Sequence, residues 1–538
     1  MRVKNVGNDI MAAMVKGYGE KFPGLKFILE YEPTAEEISR LKSSIPALGR
    51  YRDSVAFLES VTSGEVLGLK RFFVMKEYLI ALSELLRYYK GPERKIICTL
   101  TAEEKEVIRE ELAVTIADVK RAELIEAFTE HDTAAAEAYL KFLIAKKLPR
   151  LAPYIEAVHF ALTSENVMGN VFGLIGNDLV YHHFLKKVLE FCLFLMDYAD
   201  KWEEAGPLIF PALTHEQAAE LSTFGKKIAT PVNAINNHIK NMLDDSGNFK
   251  LFSGILNGAT GNFTAQNCAY PDIDWLKFSR KFVEKLGLFY EDMTYQCVSY
   301  SREAFIFSTV GNILNIIIKF IEDFINSASC PSQLFIKIHE KGAKGSSSMP
   351  GKSNMWGGEG AVGMLRKALM NIQFLANELP NFRHDGNMKR SFLFRDVGND
   401  FMPIFIALNR VTREMKKYVP NRLKIDAFIN EYPGMSGSVL QTLLKMIGIE
   451  GDAYRLIQAA SINPDSTYAN QVQFNERLKR ILRYDLHLPE ETRSMIMARI
   501  TPGYLTRSAD QITQNKFKEL RIDFAHYFEL IEEIKTGQ

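Results

Sequence analysis

The sequence predicts an all-α protein of three domains built around a long central helical bundle. Apolar residues recur at three- and four-residue steps, as in Phe184, Val188, Phe191 and Leu195, and again in Leu365, Leu369, Ile372 and Leu375. That spacing gathers them on one helix face. Runs that alternate apolar and polar residues are scarce, so no sizeable sheet is expected. Helical stretches at about 166–200, 215–242, 296–327 and 358–379 are apolar on several sides and must pack against one another.

In chain order, residues 1–45 read as an N-terminal extension and 46–155 as an N-terminal helical domain. The central bundle takes 156–420, and a C-terminal helical domain takes 421–538. Pro433, Gly434, Gly437, Gly448, Pro464 and Pro489 break the last into shorter helices. The most apolar stretch, Phe305 to Ile325, is interrupted by Asn312, Asn315, Lys319, Glu322 and Asp323. It falls short of a membrane span and reads as a helix buried nearly all round. The first residues hold no apolar core of signal-peptide length, so a cytoplasmic protein without a membrane partner is expected.

Of the 538 residues, 47% are hydrophobic and 24% charged, which excludes a disordered chain. Lys and Arg number 66 against 65 Asp and Glu. No basic excess favours nucleic acid, although a local basic pocket for a small anion is compatible with this balance. Cys98, Cys192, Cys268, Cys297 and Cys330 are widely spaced without a CxxC pair, so five reduced, mostly buried thiols are expected. The histidines form no HExxH or similar ligand spacing, and no metal is expected.

One long loop breaks the helical pattern. Residues 341–360, KGAKGSSSMPGKSNMWGGEG, carry six glycines and three consecutive serines. A P-loop needs four residues between its first Gly and Gly-Lys-Ser, but Gly345 and Gly351 are separated by five and position 346 is Ser. No strand pattern precedes the loop. Met349, Pro350 and Trp356 argue against a plain linker.

The segment GSSSMPGKSN (345–354) matches the GSSxMPxKxN signature of the fumarase/aspartase superfamily. Other blocks resemble the adenylosuccinate lyase family, in its bacterial-type subgroup. They are ALGRYRD (47–53), TEHDTAAAEAYL (129–140), HFALTSEN (159–166), THEQAAELSTFGK (214–226), NGATGNFTAQNCAYPDIDW (257–275) and TPGYLTRSADQI (501–512). They occur in family order and cover about residues 46–515.

The resemblance implies a three-domain helical fold whose central bundles tetramerise, with three subunits contributing to each site. It implies a lyase that reversibly eliminates fumarate from adenylosuccinate to give AMP. The succinyl-aminoimidazole-carboxamide ribotide of purine biosynthesis would be cleaved likewise, without a cofactor. Such an elimination needs a base for a weakly acidic C–H and an acid for the leaving nitrogen. It also needs donors for the doubly charged carboxylate that builds up. Ser346 is the implied base, plausible in a dry pocket with inward N–H groups and the Lys352 cation. His215 is the implied acid. Glu359 of another subunit would orient it.

The resemblance carries Lys352 and Asn354 over as ligands of the succinyl carboxylates. Thr163 and Ser164 take a carboxylate at a helix N-terminus. His131 and Asp132 face the phosphate and base, and Gln217 and Gln296 hydrogen-bond substrate. Arg50 and Tyr51, then Ser391 and Arg395, would hold the phosphate. The chain departs from the pattern at Gly351, at VSYS (298–301), and at Gly386 and Asn387, where the family has Arg and Asp. Arg390, one turn on, is expected to take over the lost arginine contact for its fork, with Lys389 as the alternative. Two rival readings remain: the same elimination on another succinyl compound, and a catalytically weak helical scaffold.

Overall fold

The computed structural model describes residues 34, 35, 38 and 42, then 45–339 and 345–537. Most of the expected extension 1–45, and residues 340–344 of the glycine-rich loop, therefore lie outside the described residues.

Helix α1 (Gly64–Arg87) is capped by Ser63, whose hydroxyl accepts from Val66 N at 3.3 Å. Phe72, Met75, Leu79, Leu82 and Leu86 give it a buried stripe at helical spacing. Helices α2 (Ile116–Thr129) and α3 (Asp132–Lys147) pack against it. Between them Glu130 turns the chain at φ 48°, which leaves His131 as the N-cap of α3.

Helix α4 (Ser164–Asn177), a π-helical stretch (Asp178–Leu185) and α5 (Lys186–Glu203) follow without a break. Phe184, Val188, Phe191 and Leu195 are all buried there. The expected helix from 215 starts late. Residues 215–223 instead belong to an antiparallel hairpin of β1 (Ile209–Thr214) and β2 (Gln217–Thr223). The partner strand satisfies the backbone of 217–223, a long-range condition that local periodicity does not reveal. Helix α6 (Phe224–Asn241) begins after Thr223, whose side chain caps it by accepting from Lys226 N at 3.2 Å.

Strands β3 (Ser253–Gly254) and β4 (Phe289–Tyr290) make a short parallel pair. Helix α7 (Ser301–Ala328) is followed by β5 (Phe335–Lys337), α8 (Trp356–Glu378), α9 (Lys389–Arg395), α10 (Val397–Met415) and β6 (Tyr418–Pro420). Strand β5 pairs antiparallel with β6, so a short strand does precede the glycine-rich loop, contrary to the sequence reading. All strands among the described residues fall into three such pairs, and the fold is all-α.

Helices α7, α8 and α10 pack side by side in alternating directions. A Cβ at Gly358, in the first turn of α8, would lie 3.3 Å from Ile325 near the end of α7. Among the described residues α7 alone is long and apolar enough to cross a membrane, and most of it is buried in the bundle. It is not buried all round: Phe305, Ser308, Asn312, Asn315, Lys319 and Asp323 form one exposed stripe, mostly the polar residues that interrupt the apolar run. Residues 440–496 enclose a small core of their own around Leu444, Phe474 and Leu478. The last helix, α11 (Pro502–Glu532), returns to pack on α6 and adds Phe517, Leu520 and Phe524 to the main core. Of the cysteines, Cys192 and Cys297 are buried, Cys98 is half-buried, and Cys268 and Cys330 are exposed; all five are free thiols.

Candidate active site

Most of the predicted residues collect at the two ends of the bundle. Helix α7 spans 28 residues. At 1.5 Å per residue its ends are about 40 Å apart. Gln296 precedes its first turn, and the loop with Ser346 follows its last.

At the first end, Asp132 opens α3. Its carboxylate accepts from Arg71 Nη2 at 2.6 Å and from Arg395 Nη2 at 2.5 Å. Burial alone would raise this carboxyl, but the two guanidiniums outweigh it and hold it below the usual carboxylate range. A cavity of about 110 Å³ beside the group is lined in part by Arg71, Glu126, Asp132 and Arg395. His131 is exposed, its Nδ1 accepting from Ala134 N at 3.4 Å. Ser391 and Arg395 stand one turn apart on α9, the serine buried and the arginine more open.

Thr163 and Ser164 begin α4. Thr163 N donates to Asn166 Oδ1 at 3.3 Å in a capping box, whereas Thr163 Oγ is buried and its approach to the Asn166 N–H falls short of a hydrogen bond. An unsatisfied buried hydroxyl costs about 1–3 kcal/mol, which a bound carboxylate would offset. Thr163→Val should therefore leave thermal stability equal or higher, and raise KM for a dicarboxylate substrate by about tenfold. An unchanged KM would remove Thr163 from the site.

His159, four residues earlier, is a group that sequence reasoning passed over although it heads the HFALTSEN block. Its Nδ1 lies 3.9 Å from Glu137 Oε2, and its Nε2 is buried without a partner among the described residues. Burial lowers its pKa against the pull of Glu137, which favours a neutral ring. The signal available was its fixed spacing to Thr163.

Arg390 does not face open space as expected. Its side chain is 3% exposed, with Nη2 3.2 Å from Glu165 Oε1 and Nη1 2.8 Å from the Asn387 carbonyl. The guanidinium lies over the rings of Tyr300 and Phe382, each 5.6 Å away. Burial pushes the Glu165 carboxyl up, while Arg390 and the Tyr300 hydroxyl pull against that. A Cβ on Gly386 would sit 3.1 Å from Gln296 Oε1 and 3.6 Å from Arg390 Nη2. The second arginine thus fills the space beside the glycine, but it ties α4, the 296–300 segment and α9 together and is not free for a phosphate. Lys389 is paired as well, at 2.7 Å from Glu378 Oε2.

At the second end, the glycine-rich loop folds back on itself. Ser346 Oγ accepts from Met349 N at 3.2 Å, and Lys352 N donates to the Met349 carbonyl at 3.0 Å. A Cβ on Gly345 would collide with the Lys352 carbonyl, so only glycine permits this approach. Lys352 is exposed and Asn354 half-buried. Glu359 stands exposed in the first turn of α8. Gly357 lets that turn rest on Glu414, whose Cβ lies 3.0 Å from where a side chain would begin. Tyr51 Oη accepts from Arg410 Nη1 at 2.8 Å, and the same guanidinium covers the Trp356 ring at 5.3 Å. Arg50 is exposed beside Tyr51.

The expected phosphate set is therefore divided within one chain. Arg50 and Tyr51 join the Arg410 end of α10, and Ser391 and Arg395 precede its other end. These 15 residues of separation amount to about 20 Å along a helix. His215 and Gln217 form a third group. His215 and Glu216 are the two turn residues of the β1–β2 hairpin, at φ 52° and 62°. All three are exposed, and His215 makes no hydrogen bond or ion pair among the described residues. Among the described residues the predicted set thus falls into three separate groups within one chain.

Residues 93–368 match the family model described as Lyase. The chain belongs to this lyase family, within the fumarase/aspartase superfamily, and is an enzyme. Its relatives include adenylosuccinate lyases. That of Escherichia coli K12 is 27% identical over 89% of this chain and 100% of its own length. That of Dictyostelium discoideum is 27% identical over 77% and 86%, and that of Vibrio cholerae 28% over 77% and 88%. Solved structures share the fold. The β-carboxy-cis,cis-muconate cycloisomerase of Acinetobacter calcoaceticus has a TM-score of 0.60 at 13% identity, covering 87% of this chain and 98% of its own. The 3-carboxy-cis,cis-muconate lactonizing enzyme of Pseudomonas putida has 0.63 at 15%, covering 88% and 97%.

Proposed function

We propose that this lyase cleaves adenylosuccinate to AMP and fumarate, and the succinyl-aminoimidazole-carboxamide ribotide in the same way, as a cytoplasmic homotetramer. The observation that carries the reading is the match to the full length of a bacterial adenylosuccinate lyase, with the ten-residue loop signature intact. Tetramerisation is supported by the separation of the half-sites. Copies packed antiparallel along their bundles would set the Asp132 end of one against the Ser346 end of another, with the His215 hairpin of a third.

In the completed site Ser346 takes the C–H proton as His215 gives one to the leaving nitrogen, and Glu359 of a neighbouring subunit orients that imidazole. Lys352, Asn354, Thr163 and Ser164 hold the carboxylates as charge builds up. Gln217 and Gln296 fix the substrate's orientation. Arg50, Tyr51, Ser391 and Arg395 hold the phosphate, with His131 and Asp132 beside it. Arg395 must exchange Asp132 for phosphate oxygens as substrate binds.

Gly351, Gly386 and the VSYS segment (298–301) favour a second reading, the same elimination on a different succinyl substrate. Purified protein mixed with adenylosuccinate decides the matter: fumarate release, followed by absorbance, is expected. A folded tetramer without turnover would overturn the first reading and direct the search to other succinyl substrates.

A further inference from the structure

Beneath the glycine-rich loop lies an ion pair that no step above uses. Lys337, the last residue of β5, has its Nζ 2.5 Å from Glu414 Oε1 near the end of α10. The side chains are 14% and 6% exposed. The same ammonium donates to the main-chain carbonyl of Asn354 at 3.1 Å and lies 5.7 Å from the Tyr418 ring centre. Lys337 enters the loop and Asn354 leaves it, so one buried cation closes the loop at its base across residues 338–353. Glu414 also packs under Gly357 in the first turn of α8, two residues before Glu359.

We propose that Lys337, held by Glu414, is a positioning residue for the elimination. It fixes the Asn354 carbonyl, and with it the register in which Ser346, Lys352 and Asn354 reach the substrate. The argument is one of geometry. A flexible loop must bring a base and a cation to within a few tenths of an ångström of their working places, and a misplacement of 1 Å costs about a hundredfold in rate. The Gly345–Lys352 approach folds residues 345–352 on themselves. The Lys337 bond to the Asn354 carbonyl ties the end of that turn to β5 and, through Glu414, to α10. Glu414 holds the ammonium through a charge-assisted bond, which a neutral partner would make more weakly. The role assigned to Lys337 rests on the lyase reading of the loop, but its structural half is measurable without turnover.

Amide hydrogen exchange on the full-length protein tests that half. Lys337→Met should speed exchange in peptides covering 345–359 at least tenfold, with the bundle helix 301–328 unchanged. Glu414→Gln should do the same more weakly, and Lys337→Arg should restore most of the protection. Faster exchange in 301–328 as well would mark Lys337 as a general stabiliser and overturn the proposal, as would unchanged exchange in both. With substrate, kcat of Lys337→Met should fall about 10- to 100-fold with a smaller change in KM, and Lys337→Arg should recover most of it. An altered loop exchange with an unaltered kcat would also overturn it. An inactive wild-type protein whose loop still loosens in Lys337→Met would instead fault the substrate assignment. Should Lys337→Met fail to fold, Glu414→Gln and Lys337→Arg carry the comparison, and wild-type exchange in both would count against it.

Discussion

Ser346→Ala is expected to lower kcat by roughly 10²–10⁴-fold, the range for loss of a positioned general base. KM should change little, because the hydroxyl acts mainly in the transition state. His215→Ala should fall by a similar factor. Mixed and reassembled, the two inactive proteins should recover about a quarter of wild-type activity, the chance that a randomly assembled site draws both intact groups from different subunits. The expectation comes from the assembly proposed above, in which the Ser346 loop and the His215 hairpin of one site belong to different copies. No recovery on mixing, with tetramers reformed, would mean that the base and acid come from one subunit.

Arg390→Met should have the largest effect on stability. It removes the cation from a carboxylate that the fold has already buried, and breaking such a pair typically costs about 3–5 kcal/mol. Part of that cost is avoided if Glu165 takes up a proton, so destabilisation should be greater at pH 8 than at pH 5. The sign follows from the shift: burial raises the folded carboxyl above its unfolded value, so its proton is held more tightly in the fold and its loss on raising the pH disfavours folding. The double variant Glu165→Gln/Arg390→Met should recover much of the loss. Urea unfolding measures both, and a single variant as stable as the parent would contradict the assignment. Arg390 therefore differs from a free phosphate contact, whose loss would raise KM and leave the fold intact.

The bundle was legible from the sequence because its signal is local. Phe184, Val188, Phe191 and Leu195 sit at helical spacing whatever lies across from them, and so do Leu365 and Ile372. The hairpin at 209–223 was not, because β2 is a strand only through its pairing with β1, and its six-residue partner carries Pro211 and no clear alternation. The family was legible because ten residues in a row, GSSSMPGKSN, carry its signature. The environment of Arg390 was not: spacing placed it one turn from Gly386, but Glu165 lies 225 positions away in sequence and the burial of the pair is a tertiary fact. The division of Arg50 and Tyr51 from Ser391 and Arg395 was equally hidden, because motif order along a chain says nothing of which copy supplies each motif.

The turn that presents the proposed acid has a cost of its own. His215 and Glu216 both occupy left-handed backbone, where side chains other than glycine, asparagine and aspartate are strained by on the order of 1 kcal/mol each. A sequence selected only for durability would place Asn-Gly at that tip. In the proposed mechanism the hairpin sets durability against catalysis at a single position. Variants drifting without selection for turnover would gain stability by discarding the imidazole, and His215→Asn should melt at or above the parent temperature while releasing almost no product. A dead variant that also melts lower would show that the imidazole serves the fold as well as the reaction.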